Sequence, residues 1–138
     1  LNAALGLVRV AAGGDELGSF LAELQQDLVI LMGELATLPE DLGRYVEKGF
    51  ERFGEGRLEK LETKIAEIEA AGLSFGGWAM PGAGGDAAAG ALDFARTVCR
   101  RAEREVAALG EAAPAEILRY LNRLSDALWL CAREREKP

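Results

Sequence analysis

The sequence contains no histidine, and this absence removes several kinds of chemistry. A Ser-His-Asp triad, a histidine general base and a histidine metal ligand are all excluded. The two cysteines, Cys99 and Cys131, are too few and too far apart for a zinc site, and both lie near apolar positions of predicted helices. We therefore predict reduced, buried thiols and no metal ion held by the protein itself. Any chemistry must depend on carboxylates, arginines, amides or a bound cofactor.

Basic residues are also in the minority, with 16 lysines and arginines against 23 aspartates and glutamates, for a net charge of −7. This balance argues against nucleic acid and against anionic membrane surfaces as partners. No apolar run reaches the roughly 18 residues that would be needed to cross a bilayer. No signal peptide is visible, so we expect a cytoplasmic protein. Because Leu1 falls inside a helix-like segment, we also expect a trimmed or partly ordered version of a longer protein.

Strand-like alternation of useful length is absent, and apolar residues instead recur every three or four positions, as in amphipathic helices. The length predicts one domain, covering residues 1–138. The predicted fold class is all-α, an antiparallel bundle of four to five helices. The predicted helices span residues 1–12, 15–38, 58–71, 86–109 and 114–134, whereas 42–56 is either a short helix or an ordered loop.

The segment Phe94–Arg104 concentrates four arginines and one glutamate in a chain that is acidic overall. On a helix, one side would carry Asp93, Arg96, Arg100, Glu103 and Arg104. The opposite side, which we predict to be buried, would carry Phe94, Val98, Ala102, Val106 and Leu109. A row of guanidinium groups suits phosphate, because the planar fork donates hydrogen bonds in pairs and keeps its charge. The alternative interpretation is a solvated polar face without a ligand.

The last predicted helix places Asn122 and Trp129 on one stripe, since they are seven residues apart. The opposing apolar stripe consists of Ile117, Leu121, Leu124 and Leu128. Two alternatives stay open: Asn122 bonds a neighbouring backbone group, and Trp129 packs in the core. The glycine-rich segment 72–90, which contains Trp78, is either a flexible connector or a loop that approaches a ligand.

Two motifs together resemble the PduO-type ATP:cob(I)alamin adenosyltransferases. They are Arg-Thr-Val-Cys-Arg-Arg-Ala-Glu-Arg (96–104) and, downstream, Arg-Tyr-Leu-Asn-Arg-Leu-Ser-Asp (119–126). Further segments that resemble the family in the same order are Leu1–Leu7, Leu24–Leu28, Gly33–Thr37 and Trp78–Gly82. The resemblance covers most of the chain and is loosest over residues 38–70.

The resemblance implies transfer of the 5′-deoxyadenosyl group from ATP, with Mg²⁺, to cob(I)alamin, with release of triphosphate. It also implies a homotrimer that binds ATP between subunits and hands its product to a B12-dependent enzyme. Arg96 and Arg100 would be catalytic: Arg100 would contact the ATP phosphates, and Arg96 would pair with a carboxylate of a neighbouring subunit. Glu103 would hold an arginine or a hydrated magnesium ion, and Asn122 would bond the nucleotide.

Trp78 and Trp129 match two aromatic positions of the family that contact the corrinoid, although both are phenylalanine in the better-known members. The aromatic at the Trp78 position occupies the place of the lower axial ligand, which makes the cobalt four-coordinate and easier to reduce. The family's amino-terminal loop of the type Thr-Arg-x-Gly-Asp-x-Gly-x-Thr, and its Asp-Glu pair, have no match in the sequence. Two alternatives therefore remain: a non-catalytic cobalamin-binding or delivery relative, and a plain helical scaffold.

Overall fold

The computed structural model describes residues 1–73 and 78–137, and within these residues it contains helices and no strand. The α-helices are α1 (Asn2–Ala12), α2 (Glu16–Leu35), α3 (Leu42–Glu47), α4 (Glu55–Ala70), α5 (Ala87–Ala107) and α6 (Ala115–Arg135). Short 3₁₀ turns occupy Pro39–Asp41 and Gly110–Ala112. The all-α prediction is confirmed, and the ambiguous segment 42–56 contains the short helix α3, then irregular chain, and then the first residues of α4.

Capping residues fix the starts of the two helices that follow the glycine-rich turns. The Asp15 carboxylate accepts a hydrogen bond from the Gly18 backbone N–H at 3.0 Å, and Asp86 accepts one from Ala89 at 2.7 Å. Each carboxylate satisfies a backbone donor that has no partner within its helix. Gly13 ends α1 with φ = 72°, a left-handed conformation that glycine adopts without steric cost. The sequence predicts Asp15 or Ser19 as the cap of α2 and Asp86 as the cap of α5, and the structure uses Asp15 and Asp86.

Some predicted boundaries differ from the structure by a few residues. Helix α2 ends at Leu35 rather than Leu38, because the residue before Pro39 favours extended backbone and Leu38 has ψ = 146°. Helix α4 begins at Glu55, three residues before the predicted start. Pro114 is the cap residue that precedes α6 rather than its first helical residue.

Helices α5 and α6 form the most extensive contact of the bundle, joined by a short connection around Gly110–Ala112. Helix α6 also packs on α4, α5 packs on α1, and α1 packs on α2. The predicted apolar stripe of α6 is confirmed, because all four members are buried: Ile117, Leu121, Leu124 and Leu128. Cys99 and Cys131 are buried free thiols, as predicted. None of the helices in the described part of the chain is long and apolar enough to span a membrane.

The buried side of α5 differs from the predicted one. Phe94 and Leu109 were expected in the core but are 57% and 51% exposed, whereas Asp93 is 95% buried rather than on an open polar side. The residues that face the core are Ala88, Leu92, Ala95, Cys99 and Val106. This side of α5 packs against α1 and α6, and the charge of Asp93 is compensated by Arg133. The arginine side of α5 therefore borders α6.

Candidate functional site

The carboxylate of Glu103 connects α5 to α6 at the arginine-rich side of the bundle. One of its oxygens accepts a hydrogen bond from the Arg100 guanidinium one turn earlier in α5. The other oxygen accepts a hydrogen bond from the Asn122 amide on α6 at 3.0 Å. Three predicted site residues thus form one network, in which Glu103 fixes the orientation of Arg100. Asn122 bonds a side chain and not a neighbouring backbone group.

A cavity of about 580 Å³ opens beside this network. It is lined by Glu69, Arg96, Arg100, Arg123, Ser125, Asp126, Trp129 and Leu130. Both predicted catalytic arginines and one predicted corrinoid-binding tryptophan therefore border the same space. Cationic groups next to an indole ring form a surface that is suited to a ligand with both an anionic and an apolar part.

Arg96 is half-buried, and its Nε lies out of contact with solvent without a hydrogen-bond partner in residues 1–73 and 78–137. A buried donor on a charged group is costly when it is unpaired, so such atoms usually have a partner. The position therefore favours an incoming acceptor, either from a ligand or from another subunit.

Trp129 contacts both the cavity and the core. Its ring packs against the buried apolar cluster, and the Arg133 guanidinium lies 5.9 Å from the ring centroid. Arg133 is itself 93% buried and donates to the Asp93 carboxylate at 2.6 Å, while Glu136 lies 3.1 Å from its Nε. Trp129 therefore packs against the core and lines the cavity at the same time.

Trp78 is not among the residues that line this cavity, and its side chain is 96% exposed. It begins the segment 78–86, which leads into α5. The structure therefore brings together five of the six predicted site residues and places the sixth apart from them.

The thiol of Cys99 lies under the arginine network but has no part in nucleophilic chemistry. It donates to the Leu121 carbonyl of α6 at 3.3 Å. Burial, and then the nearby Glu103 carboxylate, raise the pKa of Cys99 to about 12. Because the thiolate is the nucleophilic form of cysteine, this residue is inert near neutral pH.

A larger groove of about 770 Å³ lies between α2 and α4 and contains none of the predicted site residues. Its lining mixes charges of both signs, and the Asp27 carboxylate accepts a hydrogen bond from the Tyr120 hydroxyl at 2.9 Å. The same carboxylate forms an ion pair with Arg57. Because Asp27 and Arg57 are already paired within the chain, and the groove contains no predicted site residue, size alone does not make it the functional site.

The sequence profile described as "Cobalamin adenosyltransferase" matches residues 1–135. The chain belongs to this family. It is 34% identical over 135 residues to the corrinoid adenosyltransferase of Bacillus subtilis (strain 168), which covers 96% of this chain and 67% of that relative. It is 33% identical to the corrinoid adenosyltransferase PduO of Salmonella typhimurium over 138 residues, or 38% of that protein. A corrinoid adenosyltransferase of Mycobacterium leprae is 31% identical over 137 residues, 71% of its length.

In this cobalamin adenosyltransferase family member, the sequence did not predict the buried ion pair that packs against Trp129. Asp93 was predicted to lie on the arginine side, and its buried partner Arg133 was not predicted at all. The available signal was spacing: Arg133 follows Trp129 by four residues, so both lie on one side of α6. Arg135, which contacts both helix-capping aspartates, was also missed.

Proposed function

We propose that this protein transfers the 5′-deoxyadenosyl group of ATP to the cobalt(I) of a corrinoid and releases triphosphate. The electron pair of cobalt(I) forms the new bond to C5′, and the C5′–O bond breaks with its electron pair leaving on the triphosphate. One observation carries the proposal: Arg96, Arg100 and Trp129 border one cavity. A polyanionic leaving group and a large apolar ring are the two partners that such a lining suits.

The arginines would act on the leaving group. Fixed cations next to a developing charge stabilise the transition state without reorganisation. Arg100 is oriented for this by Glu103, and the Asn122 amide holds Glu103 from the other helix. We propose that Arg100 contacts the phosphates and that Asn122 bonds the nucleotide directly when ATP is present.

We propose that the active form is a homotrimer with ATP bound between subunits. The unpaired Nε of Arg96 supports this arrangement, since a carboxylate from a neighbouring subunit would satisfy a donor that the described chain leaves without an acceptor. Arg96 would then connect the subunit boundary to the triphosphate.

Magnesium fits this site only as a companion of ATP. The described residues contain no group of three or more acids or cysteines that would hold a metal ion by themselves. Mg²⁺ commonly keeps several waters and binds through substrate phosphates and one or two carboxylates. We propose that Glu103 is such a carboxylate and that the ion neutralises phosphate charge there.

On the corrinoid side, Trp129 would contact the ring from within the cavity, and Trp78 would occupy the place of the lower axial ligand. Their bulk and apolar character suit a four-coordinate cobalt that is easy to reduce. We propose that the reaction takes place in the cytoplasm and that the product passes to a B12-dependent enzyme.

A second candidate is a cobalamin-binding or delivery protein that forms no cobalt–carbon bond. The exposure of Trp78 favours it, because this ring lies outside the cavity that contains the arginines. The two candidates share the corrinoid and differ in their use of ATP.

Calorimetric titration of the full-length gene product with MgATP, followed by absorbance spectroscopy with cob(I)alamin, separates these candidates. Heat on addition of MgATP together with the spectrum of adenosylcobalamin supports the transferase. Cobalamin binding without an ATP-dependent cobalt–carbon bond identifies the second candidate. Absence of binding to either substrate contradicts both.

A further inference from the structure

Arg135, near the end of α6, joins the starts of two other helices. Its guanidinium forms an ion pair with Asp15, the cap of α2. Through Nε and Nη2 it also donates to Asp86, the cap of α5, at 3.2 and 3.1 Å. Each aspartate uses its other oxygen to cap its own helix. One side chain of α6 thus fixes the point where segment 78–86 enters α5.

Segment 78–86 is organised by its own backbone and not by the Trp78 side chain. Backbone N–H groups of Ala83 and Gly85 donate to the carbonyls of Met80 and Gly82 at 3.0 and 3.1 Å, which gives two overlapping turns. Gly82 and Gly85 have φ angles of 80° and 73°, which suit glycine. The Trp78 ring is almost fully exposed, so its position depends on how this backbone is held.

The segment lies against the first turns of α5 and the last turn of α6. A Cβ atom added to Gly90 of α5 would lie 3.9 Å from the Gly82 Cα. A Cβ atom added to Gly84 would lie 3.2 Å from Cγ of Glu136, the residue after Arg135. The last turn of α6 therefore contacts the segment along its backbone and, through Arg135, at the cap where it ends.

From this geometry we propose that Arg135 is a positioning residue for the corrinoid, because it holds segment 78–86 in the place from which Trp78 contacts the ring. The corrinoid as ligand of Trp78 rests on the function proposed above. Helix α6 carries Trp129, which lines the cavity, and Arg135, which holds the segment of Trp78. One helix therefore supports both tryptophans. The ATP side, formed by Arg100, Glu103 and Asn122, does not contact Arg135 through any of these bonds.

The test compares Arg135→Gln and Arg135→Lys with the control Arg119→Gln. Arg119 lies near the start of the same helix, is exposed, and forms ion pairs with Glu55 of α4 and with Glu116, so the control removes the same charge far from the segment. All three changes are made in a Trp129→Phe background, in which Trp78 is the single tryptophan. Fluorescence anisotropy then reports the rotational freedom of the Trp78 side chain. Quenching of its fluorescence by cobinamide, a corrinoid without a lower nucleotide ligand, reports the affinity of the protein for the corrinoid.

We expect Arg135→Gln to lower the anisotropy of Trp78 and to weaken cobinamide binding by about tenfold, since it removes charge-assisted hydrogen bonds to the cap. Affinity for MgATP, measured by calorimetry, stays at the value of the Trp129→Phe parent protein. Arg135→Lys restores part of the cobinamide affinity, and Arg119→Gln changes neither readout.

Three results would overturn the inference. Unchanged anisotropy in Arg135→Gln shows that the segment is held without this arginine. Equal losses of cobinamide and MgATP affinity, with a lowered melting temperature, show a merely structural role. If the wild-type protein fails to bind cobinamide, then the corrinoid is excluded as the ligand of Trp78. Wild-type protein that binds cobinamide but forms no adenosylcobalamin contradicts only the transferase function, and the anisotropy and affinity comparison still decides the role of Arg135.

Discussion

The two sides of the candidate site are held in different ways. On the side that we propose for the polyphosphate, Glu103 accepts hydrogen bonds from both Arg100 and Asn122 across two long helices that pack closely. On the side that we propose for the corrinoid, Trp129 is fixed in α6, whereas Trp78 extends from a segment that is held at its far end by Arg135. Residues on paired helices are placed by local geometry, and residues on a connecting segment depend on contacts that are distant in sequence.

The largest expected effect is on the polyphosphate side, where we expect Arg100→Ala to lower kcat by about 10²- to 10³-fold. The arginine would contact charge that develops in the transition state, and its loss is not compensated by solvent. The fold should survive, because the side chain is 42% exposed and contributes little to the core. Steady-state kinetics with ATP and cob(I)alamin, together with thermal unfolding, measure both quantities.

Arg101→Ala is the matched control for that variant, because Arg101 is the next residue of α5, carries the same charge and is exposed. We expect its kcat to stay near that of the wild type. Normal turnover in Arg100→Ala would contradict the proposed role and leave a helical scaffold with a solvated arginine row as the better interpretation.

The buried pair below Trp129 should matter for stability more than any surface pair. We expect Asp93→Ala to lower the free energy of unfolding by about 3 kcal/mol, because it leaves the Arg133 guanidinium buried with Glu136 alone. Urea unfolding provides the measurement. The control Glu67→Ala, which breaks an exposed pair with Lys64, should cost less than about 0.5 kcal/mol.

The double variant Asp93→Leu/Arg133→Met sharpens this point. Replacement of both charges by apolar groups should recover most of the stability that Asp93→Ala loses. If the double variant is as unstable as the single one, then packing and not charge pairing explains the effect. Such a result would also weaken the argument that Arg133 supports the Trp129 ring.

The helices of this protein are largely predictable from sequence because their patterns are local. Apolar spacing located the α6 stripe, and the Asp15 and Asp86 caps follow from residue type and position. The side of α5 that is buried was not predictable in this way, since a helix with alanine on several sides can face the core in more than one rotation. Its orientation depends on Arg133, which is 40 residues away from Asp93 in sequence.

The same limit applies to the candidate site. Arg96 and Arg100 lie one turn apart on α5, so they share a side of that helix in any rotation, and the structure places them with Trp129 of α6 around one cavity. Trp78 could be predicted as a candidate residue, but its location relative to the cavity could not. Its position depends on a salt bridge between Arg135 and Asp86, which are 49 residues apart in sequence. A single sequence carries no periodic signal for such a contact.

The two tryptophans should respond differently to truncation. We expect Trp78→Ala to leave both stability and ATP affinity unchanged, because the ring is exposed and does not line the cavity that the arginines border. Adenosylation should slow by up to about tenfold, which is the scale of one lost aromatic contact. Trp129→Ala should instead destabilise the protein, because its ring packs on the core. Calorimetry, kinetics and urea unfolding separate these effects, and an equal loss of ATP and corrinoid functions in Trp78→Ala would contradict its assignment.

The smallest expected effect concerns the end of the bundle that holds segment 78–86. Hydrogen bonds from the Gly18 and Ala89 backbone N–H groups, and the Arg135 guanidinium, lower the pKa values of Asp15 and Asp86 below the ordinary value. The folded protein therefore binds fewer protons than the unfolded chain in this range, so its stability rises with pH. The contribution is complete above the unfolded pKa of about 3.9 and is lost as pH falls through the lowered folded values.

Urea midpoints measured between pH 2 and 6 should show this rise of stability with pH. The variant Asp86→Asn, which has no carboxylate at this position, should show a smaller rise over the same range. A slope that is unchanged in Asp86→Asn would mean that other carboxylates determine acid unfolding and that the cap is not a distinct point of acid sensitivity.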